Sequence, residues 1–400
     1  MQQVEMVMVT GENNNKYYKM SEQANNHFRA VWGRVGGHES NKVYPMSAWD
    51  KTYRAKIKKG YKDISNLRAT KATKQTFNNM DCLKCQIILD ELQAYSTNSV
   101  KQNYTISADS VTLAQVTEAQ KHVDSLTALS LKQRTFTTKS MQVFNDQLLE
   151  LYMTIPRKMG NVKNHLLKSK NNIADGQKMI ANEQSLLDTM AQQVSMVNTK
   201  ATPKGQSLAE ILGITIELVN TKDITLIKNL MAGSSNKFKS AYKVSNVGTE
   251  KLYDKRVKKS YSKNSMLLWH GSRNENWLNI VKTGLLIRPS GVVLTGAMFG
   301  NGIYMADKAQ KSIGYTSLSG SYWASGGSNQ AFLALYDVNT GVEYQKKRHE
   351  SSMYRLDRDN LRKLGKYDSF FAEGGADLRN NEFIIYEKEQ CTVRYLVEIC

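Results

Sequence analysis

Three segments in the second half of the chain place polar side chains at the ends of apolar runs, next to glycine or a turn. They are Leu267-Leu268-Trp269-His270-Gly271-Ser272-Arg273, Gly296-Ala297-Met298-Phe299-Gly300-Asn301-Gly302-Ile303-Tyr304-Met305-Ala306-Asp307 with Lys311-Ser312 and Tyr315 following, and Arg379-Asn380-Asn381-Glu382-Phe383-Ile384-Ile385-Tyr386. Strand ends that meet loops are where ligand-binding groups are commonly displayed. Several familiar chemistries are excluded. Gly300-Asn301-Gly302 begins like a dinucleotide fingerprint, but its third position is Met305 and the run leads into a strand pattern rather than a helix. No GxxxxGK[ST] loop occurs, and the six histidines show no HExxH spacing. Cys82 and Cys85 form a lone CxxC whose next cysteine is Cys391, so a four-cysteine zinc site has no local second half. That pair reads as buried in a helix, with a redox pair as the alternative. No metal is expected.

The elements that must position these groups follow from periodicity. After Pro203 the pattern is of strands: Ile214, Ile216 and Leu218 alternate, as do Phe332, Ala334, Tyr336 and Val338, and Val393, Tyr395, Val397 and Ile399. Before it, Leu113, Val116, Val123, Leu126 and Leu129 recur at helical spacing, as do Met179, Ile180, Leu186, Leu187, Met190 and Val194. Phe144, Leu148, Leu151 and Tyr152 form a further stripe ended by Pro156 and Gly160. The first 75 residues read as short strands and turns with aromatic residues among basic ones; Lys51, Arg54 and Lys58 would share one face of a helix and meet phosphates. The expectation is a multidomain α+β chain. A small β-rich domain spans 1–75, an α-helical bundle 76–200, and a mixed, mostly antiparallel β-sheet domain 201–400.

The 400 residues carry a net charge of +19, which points to a polyanionic partner. Residues 1–75 hold 14 basic and 6 acidic residues, the densest excess, so a nucleic-acid surface is expected there. No run of about 18 apolar residues exists to span a membrane. Four cysteines cannot make a disulfide scaffold, and the N-terminus lacks a signal-peptide pattern; the expectation is an intracellular protein.

Taken together, His270-Gly271-Ser272-Arg273, Gly300-x-Gly302-Ile303-Tyr304-x-Ala306-Asp307, Lys311-Ser312-x-x-Tyr315 and Asn381-Glu382-Phe383-Ile384-x-Tyr386 resemble, in order and separation, the catalytic domain of the poly(ADP-ribose) polymerase family, the diphtheria-toxin-like ADP-ribosyltransferases. The resemblance runs from about residue 205 to the C-terminus. Upstream, Tyr152-Met153-Thr154-Ile155-Pro156 and Ser185-Leu186-Leu187-Asp188 are similar to that family's regulatory helical subdomain. Asn15-Lys16-Tyr17-Tyr18, Val31-Trp32-Gly33-Arg34-Val35-Gly36 and Lys59-Gly60-Tyr61 are similar to a WGR domain.

The resemblance implies NAD+ as co-substrate and a role for each matching residue. Glu382 matches the catalytic glutamate, which would bond the nicotinamide-ribose 2′-hydroxyl and stabilise developing positive charge. His270 would bond the adenine-ribose hydroxyl, Tyr304 would complete the His-Tyr-Glu triad, and Tyr315 would stack on nicotinamide. Gly271 would let its backbone pair with the carboxamide, which Ser312 would also bond. Ser272 and Asp188 match adenine-ribose contacts; Met298 and Lys311 match the acceptor side. Trp32, Lys51, Arg54 and Lys58 would meet DNA, and Arg34 would face the helical subdomain and report DNA binding to it. The implied function is DNA-break-activated transfer of ADP-ribose to proteins, the enzyme itself included, with chain elongation, by a monomer placed in the nucleus if eukaryotic or the cytoplasm if prokaryotic or viral. A mono-transferase acting on protein or DNA ends, and a silent DNA-binding scaffold, are the alternatives. This chain departs from the family at Leu286, where an arginine is frequent and Arg288 would substitute, and at Ala181 and Gln184, where acidic residues are frequent.

Overall fold

The computed structural model describes residues 2–65, 78–106, 108–131, 135–171, 173–198, 206–287, 298–321 and 324–400. Arg288, and both expected domain boundaries at 75/76 and 200/201, lie outside the described residues. The chain divides into two compact units: Met1–Gln75 with Asn98–Thr199, and Thr76–Thr97 with Lys200–Cys400.

In the first unit, β1 (Gln3–Thr10), β2 (Asn14–Gln23), β3 (His27–Arg34) and β4 (Glu39–Pro45) form an antiparallel meander, followed by α1 (Trp49–Lys58) and β5 (Lys62–Asp63) on the far side of β1. Period-two alternation sends the two faces of β1 into different cores. Met6 joins Tyr18, Met20, Phe28 and Trp49, whereas Val7 and Val9 bury against the helices. Those helices include residues 98–103 of α2 (Leu83–Asn103), then α3 (Leu113–Leu131), α4 (Thr138–Thr154) and α5 (Ile173–Asn198). Most of the apolar stripes read from the sequence are their shared core, with Val123, Leu126, Phe144, Leu148, Leu187 and Met190 essentially inaccessible; Leu113, at the first position of α3, is exposed instead. Thr137 caps α4 reciprocally with Ser140, satisfying amides that the first helical turn leaves open.

Within this core Arg157 and Glu183 form a buried ion pair of 2.5 Å, and the Asn15 side-chain amide of β2 donates to the Arg157 carbonyl (3.1 Å). Gln184 and Gln120 exchange amide hydrogen bonds (2.7 and 2.8 Å), and Gln184 also donates to Asp188 (2.8 Å). An ionised acidic residue in place of Gln184 would have no proton to give Asp188.

The second unit holds the two sheets that build the site. Its helices and strands run α6 (Leu208–Leu212), β6 (Ile214–Leu218), α7 (Thr221–Met231), β7 (Phe238–Asn246), α8 (Val247–Lys259), β8 (Ser265–Gly271), α9 (Trp277–Thr283), β9 (Ile303–Met305), α10 (Ala309–Ile313), β10 (Ala331–Asn339), β11 (Glu343–Lys346), α11 (Arg358–Leu364), β12 (Ser369–Ala372), β13 (Glu382–Ile385) and β14 (Cys391–Ile399). One sheet has the order β6-β7-β14-β10-β8 and is antiparallel throughout; the other is β11-β12-β13-β9, antiparallel except for β11 with β12. The expected strands are β6, β10 and β14, and the mostly antiparallel character holds.

Residues 78–97, which the sequence pattern groups with the helices, pack in this unit instead. Tyr95 lies edge-on to Phe332 (6.3 Å) and Gln330 donates to Glu91 (2.8 Å). Cys82 and Cys85 are free thiols at the start of α2, Cys85 buried and Cys82 partly so. Burial pushes the Cys85 thiol up to about 12, which keeps it protonated and disfavours redox chemistry.

Candidate active site

β8 and β9 belong to different sheets but meet at one point. Trp269 donates to the Ala306 carbonyl (2.7 Å) and Ala306 donates to that of Trp269 (3.0 Å). This stitch brings His270 and Tyr304 side by side, with His270 Nδ1 3.1 Å from the Tyr304 carbonyl oxygen. A carbonyl only accepts, so Nδ1 carries the proton and Nε2 is left as an acceptor. Burial lowers the imidazole pKa, favouring that neutral form; the hydrogen bond to Tyr304 opposes it weakly.

β13 pairs with β9 with Ile384 opposite Tyr304, which sets Glu382 at the head of its strand, beside the same junction. The Glu382 side chain is 8% exposed and its Oε1 lies 2.6 Å from Lys311 Nζ on α10. Burial raises the carboxyl pKa and lowers that of the ammonium; in each case the partner's charge opposes the shift. Asn381 anchors the entry to β13 by donating to Asp307 (2.7 Å) and accepting from the Gly374 amide (2.9 Å). Lys311 also reaches the carbonyls of Asn380 and Asn381 (3.4 and 3.3 Å).

His270, Gly271, Tyr304, Lys311, Ser312, Tyr315 and Glu382 line one cavity of about 230 Å³, together with Leu285, Leu286, Ile303 and Met305. Apolar walls with a few convergent polar groups are the usual make-up of a small-molecule site. Tyr315 is 37% exposed, with its phenol pushed up to about 12 by burial and by Glu382. The Tyr304 phenol is raised further, chiefly by burial, and is engaged away from Glu382: it donates to the Gly300 carbonyl (2.9 Å) and accepts from the Phe299 amide (3.0 Å). Its hydroxyl therefore pins the turn before β9, while its ring lines the cavity.

Two glycines have a packing reason that the sequence did not disclose. A Cβ on Gly271 would stand 2.0 Å from the Ser312 carbonyl oxygen, so the missing side chain lets α10 close on β8. Gly300 has φ +78° and would place a Cβ 2.0 Å from the Leu356 carbonyl oxygen. The remaining expected residues lie elsewhere. Ser272 is not among the cavity walls, and its hydroxyl accepts from Asn276 (3.1 Å). Met298 lines a neighbouring hollow that shares Lys311, Tyr315 and Glu382, and its carbonyl pairs with His349 Nε2 (2.8 Å). Asp188 belongs to the first unit, on α5. The motifs contained Asp307 and Asn381, but only pairing across β9 and β13 reveals their hydrogen bond.

Residues 221–400 match the poly(ADP-ribose) polymerase catalytic domain. A putative poly [ADP-ribose] polymerase-like 100L from Invertebrate iridescent virus 6 is 32% identical over 182 residues, covering 45% of this chain and 94% of that protein. The chain belongs to the poly(ADP-ribose) polymerase family. Uncharacterized protein 101L of the same virus is 29% identical over 189 residues, 47% of this chain and 76% of its own length. Poly [ADP-ribose] polymerase 2-A of Oryza sativa subsp. japonica is 31% identical over 204 residues, 45% of this chain but only 31% of the longer rice protein.

As a poly(ADP-ribose) polymerase family member the protein is an NAD+ ADP-ribosyltransferase, and NAD+ is its substrate. The cavity holds a neutral imidazole with Nε2 as a hydrogen-bond acceptor, a partly exposed aromatic ring and a buried carboxylate. Among the described residues no group of three or more His, Cys, Asp or Glu could hold a metal ion, and no helix is long and apolar enough to cross a membrane.

In the first unit, Lys51, Arg54 and Lys58 are exposed on α1, as the helical spacing predicts. Trp32 is half-buried and stacked on Tyr18 (5.7 Å between centroids), whose ring also carries Lys56 Nζ at 3.8 Å. Arg34 donates to the Asn13 carbonyl and side chain (2.9 Å each) and to the Gly160 carbonyl (2.8 Å), between α4 and α5.

Proposed function

We propose that the protein transfers ADP-ribose from NAD+ to protein acceptors, itself included, extends the chain, and does so faster when its first unit binds broken DNA. The observation that carries this reading is the Glu382 carboxylate, buried beside Lys311 in a cavity shared with His270, Tyr304 and Tyr315. His270 and Ser272 hold the adenine ribose. Gly271 and Ser312 pair with the carboxamide, and Tyr315 stacks on the nicotinamide ring. Glu382 accepts a hydrogen bond from the ribose 2′-hydroxyl. As the glycosidic bond breaks, its electron pair neutralises the pyridinium nitrogen, and the carboxylate faces the oxocarbenium-like sugar. Met298 and Lys311 stand toward the acceptor.

The DNA part of the reading rests on the exposed stripe Lys51, Arg54 and Lys58, on the half-buried Trp32 of β3, and on Arg34 linking the sheet to the turn before α5. The test is labelled NAD+ with and without nicked or blunt DNA, followed by size analysis of the product. Ladders that depend on DNA are expected. Equal rates with and without DNA refute the coupling, single adducts refute elongation, and absence of nicotinamide release refutes the catalytic reading.

A further inference from the structure

The outer face of α8 is a row of lysines. Lys251, Lys255, Lys258 and Lys259 are exposed, and 3.6 residues per turn places them within an arc of about 100°. Tyr253 and Arg256 fall on the opposite side and are buried. The Tyr253 phenol donates to Asp337 (2.9 Å), and Arg256 pairs with Asp368 (3.1 Å) and Glu387 (2.7 Å). The acids nearby are thus already matched, Glu250 by Arg394 (2.9 Å) among them. Among the described residues none of the four lysines has an ion-pair or hydrogen-bond partner for its ammonium group. Residues 251–263 hold six basic residues and one acidic, so they carry +5 of the +9 net charge of residues 201–400.

Like charges three and four residues apart destabilise a helix, so the row is a cost to α8 by itself. Lys258 and Lys259, in the last turn, also answer the helix dipole; Lys251 and Lys255 lie too far from the end to do so. An anionic partner removes the cost, and its kind follows from the make-up of the face. At 1.5 Å per residue the row is about 12 Å long, a length over which one strand of a duplex presents about four phosphates. Lysine is a point charge on a flexible stem, which suits a backbone followed without regard to sequence, and it is depleted where proteins bury one another. A lipid surface would need an apolar helix face to insert, and that face of α8 packs on β7 and β14.

We propose that the exposed face of α8 is a nucleic-acid contact of its own, which holds the phosphate backbone of a duplex on the unit that carries the catalytic cavity and reads no sequence. Each lysine meets one phosphate through Nζ and displaces the counterions condensed there. The proposal goes beyond the reading of the first unit. It needs neither the stripe on α1 nor turnover at Glu382, and it gives the second unit a hold on nucleic acid that does not pass through the first.

The experiment is fluorescence anisotropy of the full chain with a short labelled blunt DNA duplex over a series of salt concentrations. The unaltered protein is compared with Lys251→Gln/Lys255→Gln/Lys258→Gln/Lys259→Gln and with the half-step Lys255→Gln/Lys259→Gln. A control changes four lysines exposed elsewhere in the unit, Lys222→Gln/Lys243→Gln/Lys363→Gln/Lys366→Gln. Glutamine sustains a helix about as well as lysine, and circular dichroism checks that α8 persists; should the four-lysine variant not fold, the half-step decides. Each phosphate contact contributes about 0.9 to the slope of log affinity against log salt. The slope should be shallower by about 3–4 in the four-lysine variant, by about 2 in the half-step and by less than about 1 in the control. A slope that the α8 substitutions leave unchanged, or that the control lowers as much, overturns the proposal. Displacement of the duplex by polyglutamate as readily as by unlabelled duplex of matched charge also overturns it, because the face then answers any acidic chain. Lys51→Gln/Arg54→Gln/Lys58→Gln tests the reading of α1 separately: if that variant binds the duplex as the unaltered protein does, the α1 reading fails and the α8 slopes still decide this one.

Discussion

Replacing Lys311 with methionine separates two roles for that side chain. With Nζ 2.6 Å from Glu382 Oε1 and an effective dielectric near 20, the pair attraction is about 6 kcal/mol before desolvation is subtracted. The two side chains are 15% and 8% exposed, so little solvent would screen what remains. Removing one partner of a buried pair costs about 3–5 kcal/mol, because the other charge is stranded. Glu382 relieves that cost by taking up a proton. Its carboxyl already lies above the ordinary range through burial, and Lys311 is what opposes the rise. The sign is fixed by the charge: the carboxylate is the form present above the pKa, so a further rise removes it at a given pH. Losing about 3 kcal/mol of support shrinks the carboxylate population about a hundredfold wherever the acid form dominates. Lys311→Met should therefore lower nicotinamide release at neutral pH by up to about two orders of magnitude, and alkaline pH should restore much of it. Lys311→Arg, which keeps the charge, should retain the acid limb near its original place. The measurement is initial nicotinamide release against pH for the three proteins. A Lys311→Met profile reduced by the same factor at every pH would refute the reasoning and mean that the ammonium acts on the substrate rather than on Glu382.

Further outcomes follow from other contacts. Glu382→Gln keeps the shape but removes the negative charge, so NAD+ binding measured by calorimetry should persist while transfer falls by about 10²-fold or more; full activity would contradict the assigned role. Gly271→Ala forces a Cβ onto the Ser312 carbonyl, a backbone atom that cannot swing aside, and should lower the melting temperature by the equivalent of about 1–3 kcal/mol along with NAD+ affinity. Glu183→Gln leaves Arg157 buried without its counter-charge and should destabilise the first unit by about 3–5 kcal/mol in urea unfolding, with a smaller loss if Arg157 is replaced by methionine in the same chain. Arg34→Ala removes three hydrogen bonds, one of them to Gly160, and should weaken the stimulation of turnover by DNA more than it weakens DNA binding itself.

Much of the architecture could be read from spacing. β6 alternates because one face, that of Ile214 and Ile216, reaches the core, and the helical stripes around Phe144 and Met190 recur for the same reason at a different period; β10 and β14 are buried at nearly every position, so the alternation read at Phe332 and Val393 is only half of their apolar set. The site residues were legible as motifs, since the polar groups of β8, β9 and β13 stand beside glycine or turns at strand ends. Local patterns fared less well where the partner is remote. Residues 76–97 have the periodicity of a bundle helix, yet Tyr95 and Glu91 find Phe332 and Gln330, more than 230 positions away. No window along the chain carries that information.

The order of residue types along the chain by itself fixed which groups can do chemistry here: one imidazole, two phenols, one lysine and one carboxylate, set at strand ends in a sequence that matches an NAD+-cleaving family. Tertiary structure decided what state those groups are in. The crossing of two sheets at Trp269 and Ala306 gives His270 its proton position. The close approach of α10 to β8, which Gly271 permits, carries Lys311 to Glu382 and sets the electrostatics of the carboxylate. Protonation and ion pairing depend on distance and burial, which depend on the fold and not on neighbours in sequence.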